Sequence, residues 1–294
     1  MPTTIRELLE SKLINSALSM KYSLKRNDIE YCLMHIIGKT REFLISNSHY
    51  TLSLKEEKDF FASLKLLRNG MPLAYVIGNQ EFYGYTYIVD KNVLIPRPET
   101  EIIIPKILEY GDSIFKKKQG LTLIDAGSGS GCIGLTIASE RPDWNVILIE
   151  KSLKAISVLE KNFHSGLYKN CSILATNWLK GFCDNKADII VSNPPYIKHN
   201  CRFVDEIVYK YEPHSALFSR DDGLKDIKIL ISESKRALVK DGFLIIENGF
   251  DQSDGIIRFL KENYFEDIDI ILDYNGIKRF TVSRNSRYGQ KNNS

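Results

Sequence analysis

A chain of 294 residues that is 43% hydrophobic and 26% charged can bury a substantial core, and its length suggests two domains of unequal size. Its net charge of +3, from 40 basic and 37 acidic side chains, falls far short of the basic excess that sequence-independent nucleic-acid binding usually shows, so composition announces no DNA or RNA partner. No run of about 18 apolar residues is present, which excludes a helical membrane span, and the scattered cysteines (Cys32, Cys132, Cys171, Cys183, Cys201) and isolated histidines suggest neither a disulfide framework nor a metal site. The first residues, MPTTIRELLESKL, carry acids and lack an apolar signal core, so a cytoplasmic chain is expected.

Residues 1–72 show helical signals only. Thr4-x-x-Glu7 can form a capping box in front of Ile5, Leu8, Leu9 and Leu13, and Asn27-x-x-Glu30 is expected to open a second helix that Gly38 closes. Ser53-x-x-Glu56 opens a third, with Phe60, Phe61, Leu64 and Leu67 on its apolar side and Gly70 and Pro72 as stop signals. Over residues 1–78 there are 11 basic and 8 acidic residues, an excess that equals the net charge of the whole chain. A solvated surface is the default explanation of so small an imbalance.

Residues 73–97 change character. Tyr75, Val76, Phe82, Tyr83, Tyr85, Tyr87, Ile88 and Val89 cluster around Gly78 and Gly84 and read as a β-hairpin linker. A helix is expected from about Glu99, with Pro105 marking a kink or a late start. Strands are then expected at 121–125, 145–150, 172–176, 188–192, 242–247, 267–272 and 278–284, with helices at 131–139, 152–163, 224–238 and 252–263. Short apolar runs separated by helices predict a doubly wound, mostly parallel seven-stranded α/β sheet, whose last two strands form an antiparallel pair because no helix separates them.

Asp125-Ala126-Gly127-Ser128-Gly129-Ser130-Gly131 falls where the first parallel strand ends and a helix begins, the place where open α/β sheets bind ligands. Gly129-x-Gly131-x-x-Gly134 matches the dinucleotide fingerprint formally, and Glu150, at the end of the next strand, suits either a nicotinamide ribose or an adenosyl ribose. A glycine-rich turn without a ligand is the third reading. Asp125 shifts the balance: acidic-x-Gly-x-Gly-x-Gly resembles the first motif of class I S-adenosylmethionine-dependent methyltransferases.

Asn193-Pro194-Pro195-Tyr196 follows the strand at 188–192. Two prolines fix the chain as it leaves the sheet, so a rigid turn is the plainest reading. The residue types also suit a demanding reaction. An amide or exocyclic amine nitrogen is a poor nucleophile because its lone pair is delocalised, and it must be held by its N–H groups while it turns toward an electrophilic methyl. Asn193 and the Pro194 carbonyl can accept those N–H groups, and Tyr196 can stack on the planar substrate. The tetrapeptide is similar to the (Asn/Asp/Ser)-Pro-Pro-(Tyr/Phe/Trp) motif of amino-methyltransferases.

With these motifs in place, the whole chain resembles the release factor glutamine N5-methyltransferases. The resemblance is carried by Pro72–Gly78, Glu81–Gly84, Ile95-Pro96-Arg97-Pro98-Glu99-Thr100-Glu101, Val191–Ile197, Tyr211-Glu212-Pro213 and Glu247-Asn248-Gly249. It implies a Rossmann-like methyltransferase fold, S-adenosyl-L-methionine as cofactor with S-adenosyl-L-homocysteine as product, and class 1 peptide chain release factors as partners. The target would be the glutamine of their Gly-Gly-Gln motif. It further implies that Gly127, Ser128, Gly129, Ser130, Gly131, Glu150, Asn177, Trp178 and Asn193 contact the cofactor. Asn193, Pro194, Pro195 and Tyr196 would bind the substrate, with Asn193, Pro194 and Tyr196 catalytic. Two positions depart from the family: Asn177 stands where Asp is usual, and Asn248 where His is usual.

The implied organisation is a substrate-docking helical domain over 1–72, a hairpin linker over 73–97, a catalytic domain over 98–287 and a disordered tail over 288–294, in a monomer without a membrane or metal. A nucleic-acid amino-methyltransferase is the rival; it predicts a basic groove or a target-recognition insert, and neither is visible. A non-enzymatic interaction module would need a degraded glycine loop or tetrapeptide, and both are intact.

Overall fold

Local capping chemistry sets most of the helix starts in the first 70 residues. The Thr4 hydroxyl accepts the Glu7 N–H and the Glu7 carboxylate accepts the Thr4 N–H, which opens α1 (Ile5–Leu9) as the sequence predicts. The next helix, α2 (Arg26–Ile37), does not use the predicted Asn27–Glu30 box. The Asp28 carboxylate instead accepts the Lys25 N–H, because Glu30 is engaged by Arg26 and Arg41 and Asn27 by Arg41. Gly38 closes α2 in the left-handed region, at φ +62°. After α3 (Arg41–Ser46), the Ser53–Glu56 box opens α4 (Leu54–Arg68), which buries Phe60, Leu64 and Leu67 and leaves Phe61 exposed, contrary to expectation.

The computed structural model describes residues 3–11, 24–166, 168–199 and 201–286; Leu13 and the tail 288–294 lie outside them. The chain divides into two units, one of Met1–Asn79 with Asp205–Tyr211 and one of Gln80–Val204 with Glu212–Ser294. Ile5, Leu8, Ile29, Leu33, Phe60 and Leu64 form the core of the first. A later helix, Glu206–Tyr211, belongs to this unit although it follows the tetrapeptide in sequence; the Tyr211 hydroxyl donates to the Asn69 carbonyl at 2.7 Å.

The hairpin begins later than the aromatic pattern suggests. Leu73–Ile77 is a helical turn, α5, that starts at Pro72 and ends at Gly78 (φ +79°). Strands β1 (Asn79–Phe82) and β2 (Tyr85–Ile88) follow, joined by Tyr83 and Gly84, both at positive φ as a tight two-residue hairpin turn requires. Phe82 and Tyr87 are buried in the core of the second unit. Pro105 marks a late start: α6 (Pro98–Glu101) ends before α7 (Ile103–Lys118), whose first turn holds the proline where a missing N–H is harmless.

The second unit is built on β3 (Thr122–Ala126), α8 (Cys132–Glu140), β4 (Asn145–Glu150), α9 (Leu153–Ser165), β5 (Cys171–Ala175) and β6 (Ala187–Ser192). After a two-residue pair, β7 (Ile197–Lys198) with β8 (Phe218–Ser219), come α10 (Lys225–Ala237), β9 (Leu238–Glu247), α11 (Ser253–Glu262), β10 (Phe265–Leu272) and β11 (Lys278–Asn285). The seven-stranded order is β10-β11-β9-β6-β3-β4-β5, parallel except for β11, which runs antiparallel to both neighbours. This is the predicted fold class. Consecutive strand residues point to opposite faces, so Leu123, Leu148, Ile189 and Ile245 enter one core while Ile124, Ile149, Ile190 and Ile246 enter the other. Burial on both faces explains the unbroken apolar runs. No helix among the described residues is long and apolar enough to cross a membrane.

Candidate active site

Strand register brings the two sequence motifs side by side. Strand order reverses between β3 and β6, the switch point at which crevices open beyond the carboxyl ends of parallel strands. Asp125 pairs with Val191, and one residue further the Ser192 hydroxyl donates to the Ala126 carbonyl at 2.6 Å, so the glycine loop and Asn193 leave adjacent strands at the same level. On one flank β4 ends in Glu150; on the other β9 ends in Glu247, with Ser192 in register with Ile246. A cavity of about 940 Å³, including its open mouth, lies over these strand ends.

The glycine-loop wall is made mostly of backbone. Gly127 and Ser128 both donate to the Ile149 carbonyl, at 2.8 and 2.9 Å, and Gly129 donates to Glu150 Oε2 at 3.1 Å. Gly127, Gly129 and Gly131 all have positive φ. They differ in what surrounds them. A Cβ on Gly129 would meet nothing within 4 Å, leaving open space in which a ligand can approach the backbone, whereas a Cβ on Gly131 would lie 2.4 Å from Leu159. Asp125 supports the loop from below, accepting the Gly134 N–H at 3.0 Å; burial raises its carboxyl to about 7.

Glu150 is held by three backbone donors. Its Oε1 accepts from Lys151 and Ser152, both at 2.8 Å, and its Oε2 accepts from Gly129. The carboxylate therefore keeps one acceptor site on Oε2 for a hydroxyl, and a second hydroxyl would have to replace the Gly129 N–H. The Trp178 indole is 6% exposed, would lie 3.3 Å from a Cβ on Gly127, and is covered by the Lys151 ammonium at 5.6 Å from the ring centroid.

At the opposite wall, Asn193 Nδ2 lies 3.4 Å from the Thr100 hydroxyl, which is 2.7 Å from Glu247 Oε2; the Tyr196 hydroxyl reaches Glu247 Oε1 at 3.2 Å. Burial pushes the Glu247 carboxyl up, opposed by these two hydroxyls, and burial likewise raises the Tyr196 hydroxyl. Gln252 donates to the Tyr196 carbonyl at 2.8 Å and pins the chain as it leaves the tetrapeptide. Arg97 pairs with the buried Glu212 at 2.5 Å, joining the Arg-Pro-Glu-Thr run to the Tyr-Glu-Pro run.

Of the residues expected at the site, Gly127, Ser128, Gly129, Ser130, Glu150, Trp178, Asn193 and Pro195 line the cavity. Gly131, Asn177, Pro194 and Tyr196 do not: Gly131 is the cap of α8, Pro194 is buried, the Tyr196 hydroxyl is turned to Glu247, and the Asn177 side chain is exposed to solvent. Thr100, Arg97 and Asp125 line it without having been assigned a site role from sequence. Asn248 is fully buried, bonded to Ser253 and Thr281, so it serves the packing beneath the site.

The mostly parallel sheet with its antiparallel β11 and switch-point cavity is a Rossmann-like fold, and the Methyltransferase small domain model matches residues 112–211. The PrmC N-terminal domain model matches residues 12–78. The chain belongs to the release factor glutamine methyltransferase family. It is 33% identical to the release factor glutamine methyltransferase of Coxiella burnetii, over 93% of this chain and 97% of that one. It is 32% identical to that of Escherichia coli K12, over 88% and 92%. Among solved structures, a methyltransferase from Pyrococcus furiosus superposes with a TM-score of 0.52 at 15% identity, over 70% of this chain and 91% of that one. The hMettl16 catalytic domain in complex with a 3′UTR hairpin does so at 0.56 and 14%, over 88% and 92%. At such identities these two show the fold alone.

Proposed function

We propose that this chain transfers a methyl group from S-adenosylmethionine to the side-chain amide nitrogen of the glutamine in the Gly-Gly-Gln motif of class 1 peptide chain release factors. The observation that carries this reading is the placement of Asn193 and the glycine loop on one cavity, at matched levels of adjacent strands. Family membership supports the substrate class.

The cavity fits the cofactor. The open space over Gly129 admits a ligand against the backbone, Glu150 offers an acceptor to a ribose hydroxyl, and Trp178 presents an apolar ring on the adenine side. When bound, S-adenosylmethionine supplies a sulfonium methyl group. The protein's own task is to position the acceptor nitrogen. Asn193 Oδ1, on the cavity wall, accepts one of its N–H groups, which holds the nitrogen while it moves toward tetrahedral geometry. No base is needed before transfer, because the nitrogen becomes acidic only when it is alkylated. Positioning of this kind supplies several kcal/mol. Asn177, exposed to solvent, is replaced in this account by Thr176 and Trp178, which line the cavity.

The helical unit is assigned to release factor docking, and the enzyme to the cytoplasm, where its substrate acts. A monomer is proposed as the working form. Mass spectrometry of a purified release factor after incubation with the protein and S-adenosylmethionine tests the reading. A single methyl on the Gly-Gly-Gln glutamine, absent with Asn193→Ala, is expected. An unmodified release factor beside a methylated duplex DNA or RNA control would overturn it.

A further inference from the structure

We infer that Thr100 and Glu247 are positioning residues that decide which end of the Asn193 carboxamide faces the substrate. The inference rests on the amide-nitrogen reading above and adds the device that enforces it. A carboxamide has nearly the same shape in its two flipped orientations, but one end accepts hydrogen bonds and the other donates two. If Nδ2 faced the cavity, a donor would oppose the N–H groups of the acceptor nitrogen and the substrate could not be held.

The neighbouring groups break that symmetry. Glu247 is the acceptor toward Thr100. Its Oε2 lies 2.7 Å from Thr100 Oγ1, so the single Thr100 proton points to the carboxylate. What Thr100 turns to Asn193 is then a lone pair, which can be approached only by Nδ2, at 3.4 Å. Oδ1 is thereby directed away from Thr100. The second carboxylate oxygen accepts from the Tyr196 hydroxyl at 3.2 Å, so the same group that orients Asn193 also anchors the aromatic residue closing the tetrapeptide. Glu247 and Thr100 are each 2% exposed, so water does not compete for these directions.

The arrangement follows from topology. Glu247 is the last residue of β9, which lies beside β6 with Ser192 and Ile246 in register, and this brings the carboxylate level with Asn193. Thr100 arrives from α6, nearly a hundred residues earlier in the chain. Among the described residues Glu247 forms no ion pair, although the Arg279 charge is felt there, and burying its carboxyl costs stability, so its presence calls for another role.

The test compares the wild type with Thr100→Val, Thr100→Ser and Glu247→Gln in steady-state methylation of a release factor, with cofactor affinity and Tm measured on the same proteins. Thr100→Val, which removes the lone pair, is expected to lower kcat about a hundredfold with KM for the release factor within about threefold. Thr100→Ser, which keeps the hydroxyl, restores kcat to within about threefold of wild type. Glu247→Gln, which lets the Thr100 proton reverse, falls between, about tenfold down. Cofactor Kd stays within about threefold throughout. Equal kcat for the Val and Ser variants, or Glu247→Gln at the wild-type rate, would overturn the inference while leaving the substrate reading intact. A wild type that leaves the release factor unmethylated would overturn both.

Discussion

The two walls of the cavity are made in different ways. The glycine-loop wall consists of contiguous backbone: Gly127, Ser128 and Gly129 turn over the end of β3, and their N–H groups go to Ile149 and Glu150 on the next strand. The opposite wall presents Thr100 and Asn193, with Glu247 buried behind Thr100, three side chains from distant places linked through the Thr100 hydroxyl. A backbone-built wall depends on which residues lack a Cβ and tolerates little change in conformation. A side-chain relay depends on proton direction and fails one partner at a time. Substitutions on the first wall should therefore alter stability or cofactor binding, and those on the second should alter turnover.

The sharpest test of that contrast is Asn193→Ala, which removes the side-chain acceptor proposed for the substrate N–H. It is expected to lower kcat about a thousandfold, measured in single-turnover methylation, with cofactor affinity changed by no more than about threefold. A parallel loss of cofactor binding would show that the walls are not separable. Next in size is Gly131→Ala. Its Cβ would fall 2.4 Å from Leu159 Cδ1 in a residue held at φ +86°, and about 3 kcal/mol of destabilisation is expected, seen as a Tm lowered by about 6–12 °C in calorimetry.

Gly129→Ala separates the two duties of the loop. Its Cβ meets nothing in the protein, so only the positive φ opposes it, at about 1 kcal/mol, whereas cofactor Kd measured by titration calorimetry should rise about tenfold. Equal damage to stability from the Gly129 and Gly131 variants would contradict the assignment of one to ligand approach and the other to packing.

A pH-dependent test concerns Asp125. Its carboxyl is raised from 3.8 to about 7 by burial, so between these pH values the folded protein holds a proton that the unfolded chain has lost. Its contribution to stability therefore decreases as pH rises from about 4 to about 7 and is level above that. Asp125→Asn, which can still accept the Gly134 N–H, should remove this part of the slope when Tm is followed across the range.

Much of this molecule is legible in local sequence because the forces involved are local. The Thr4 and Ser53 capping boxes each close within four residues, and the apolar runs of β3, β4, β6 and β9 reflect burial on both faces. The glycine loop could be placed because its spacing is backbone geometry at a strand end. The Asn27–Glu30 box failed because Arg41, eleven residues beyond Glu30, captures both acceptors. Leu73–Ile77 carries residues that favour strands, yet Pro72 and Gly78 bracket a helical turn that buries Ala74. The exposed position of Asn177 was equally hidden, since nothing adjacent to it reports which side of β5's following turn faces the cavity.

The sequence by itself determined the sheet, the glycine loop and the Asn-Pro-Pro-Tyr turn, because each is specified by neighbours a few residues apart. Only the tertiary structure decided which way Asn193 faces and which carboxylate orients it. Those outcomes depend on strand register between β6 and β9 and on the approach of α6, and residues separated by 93 and 147 positions leave no periodic trace of one another in the chain.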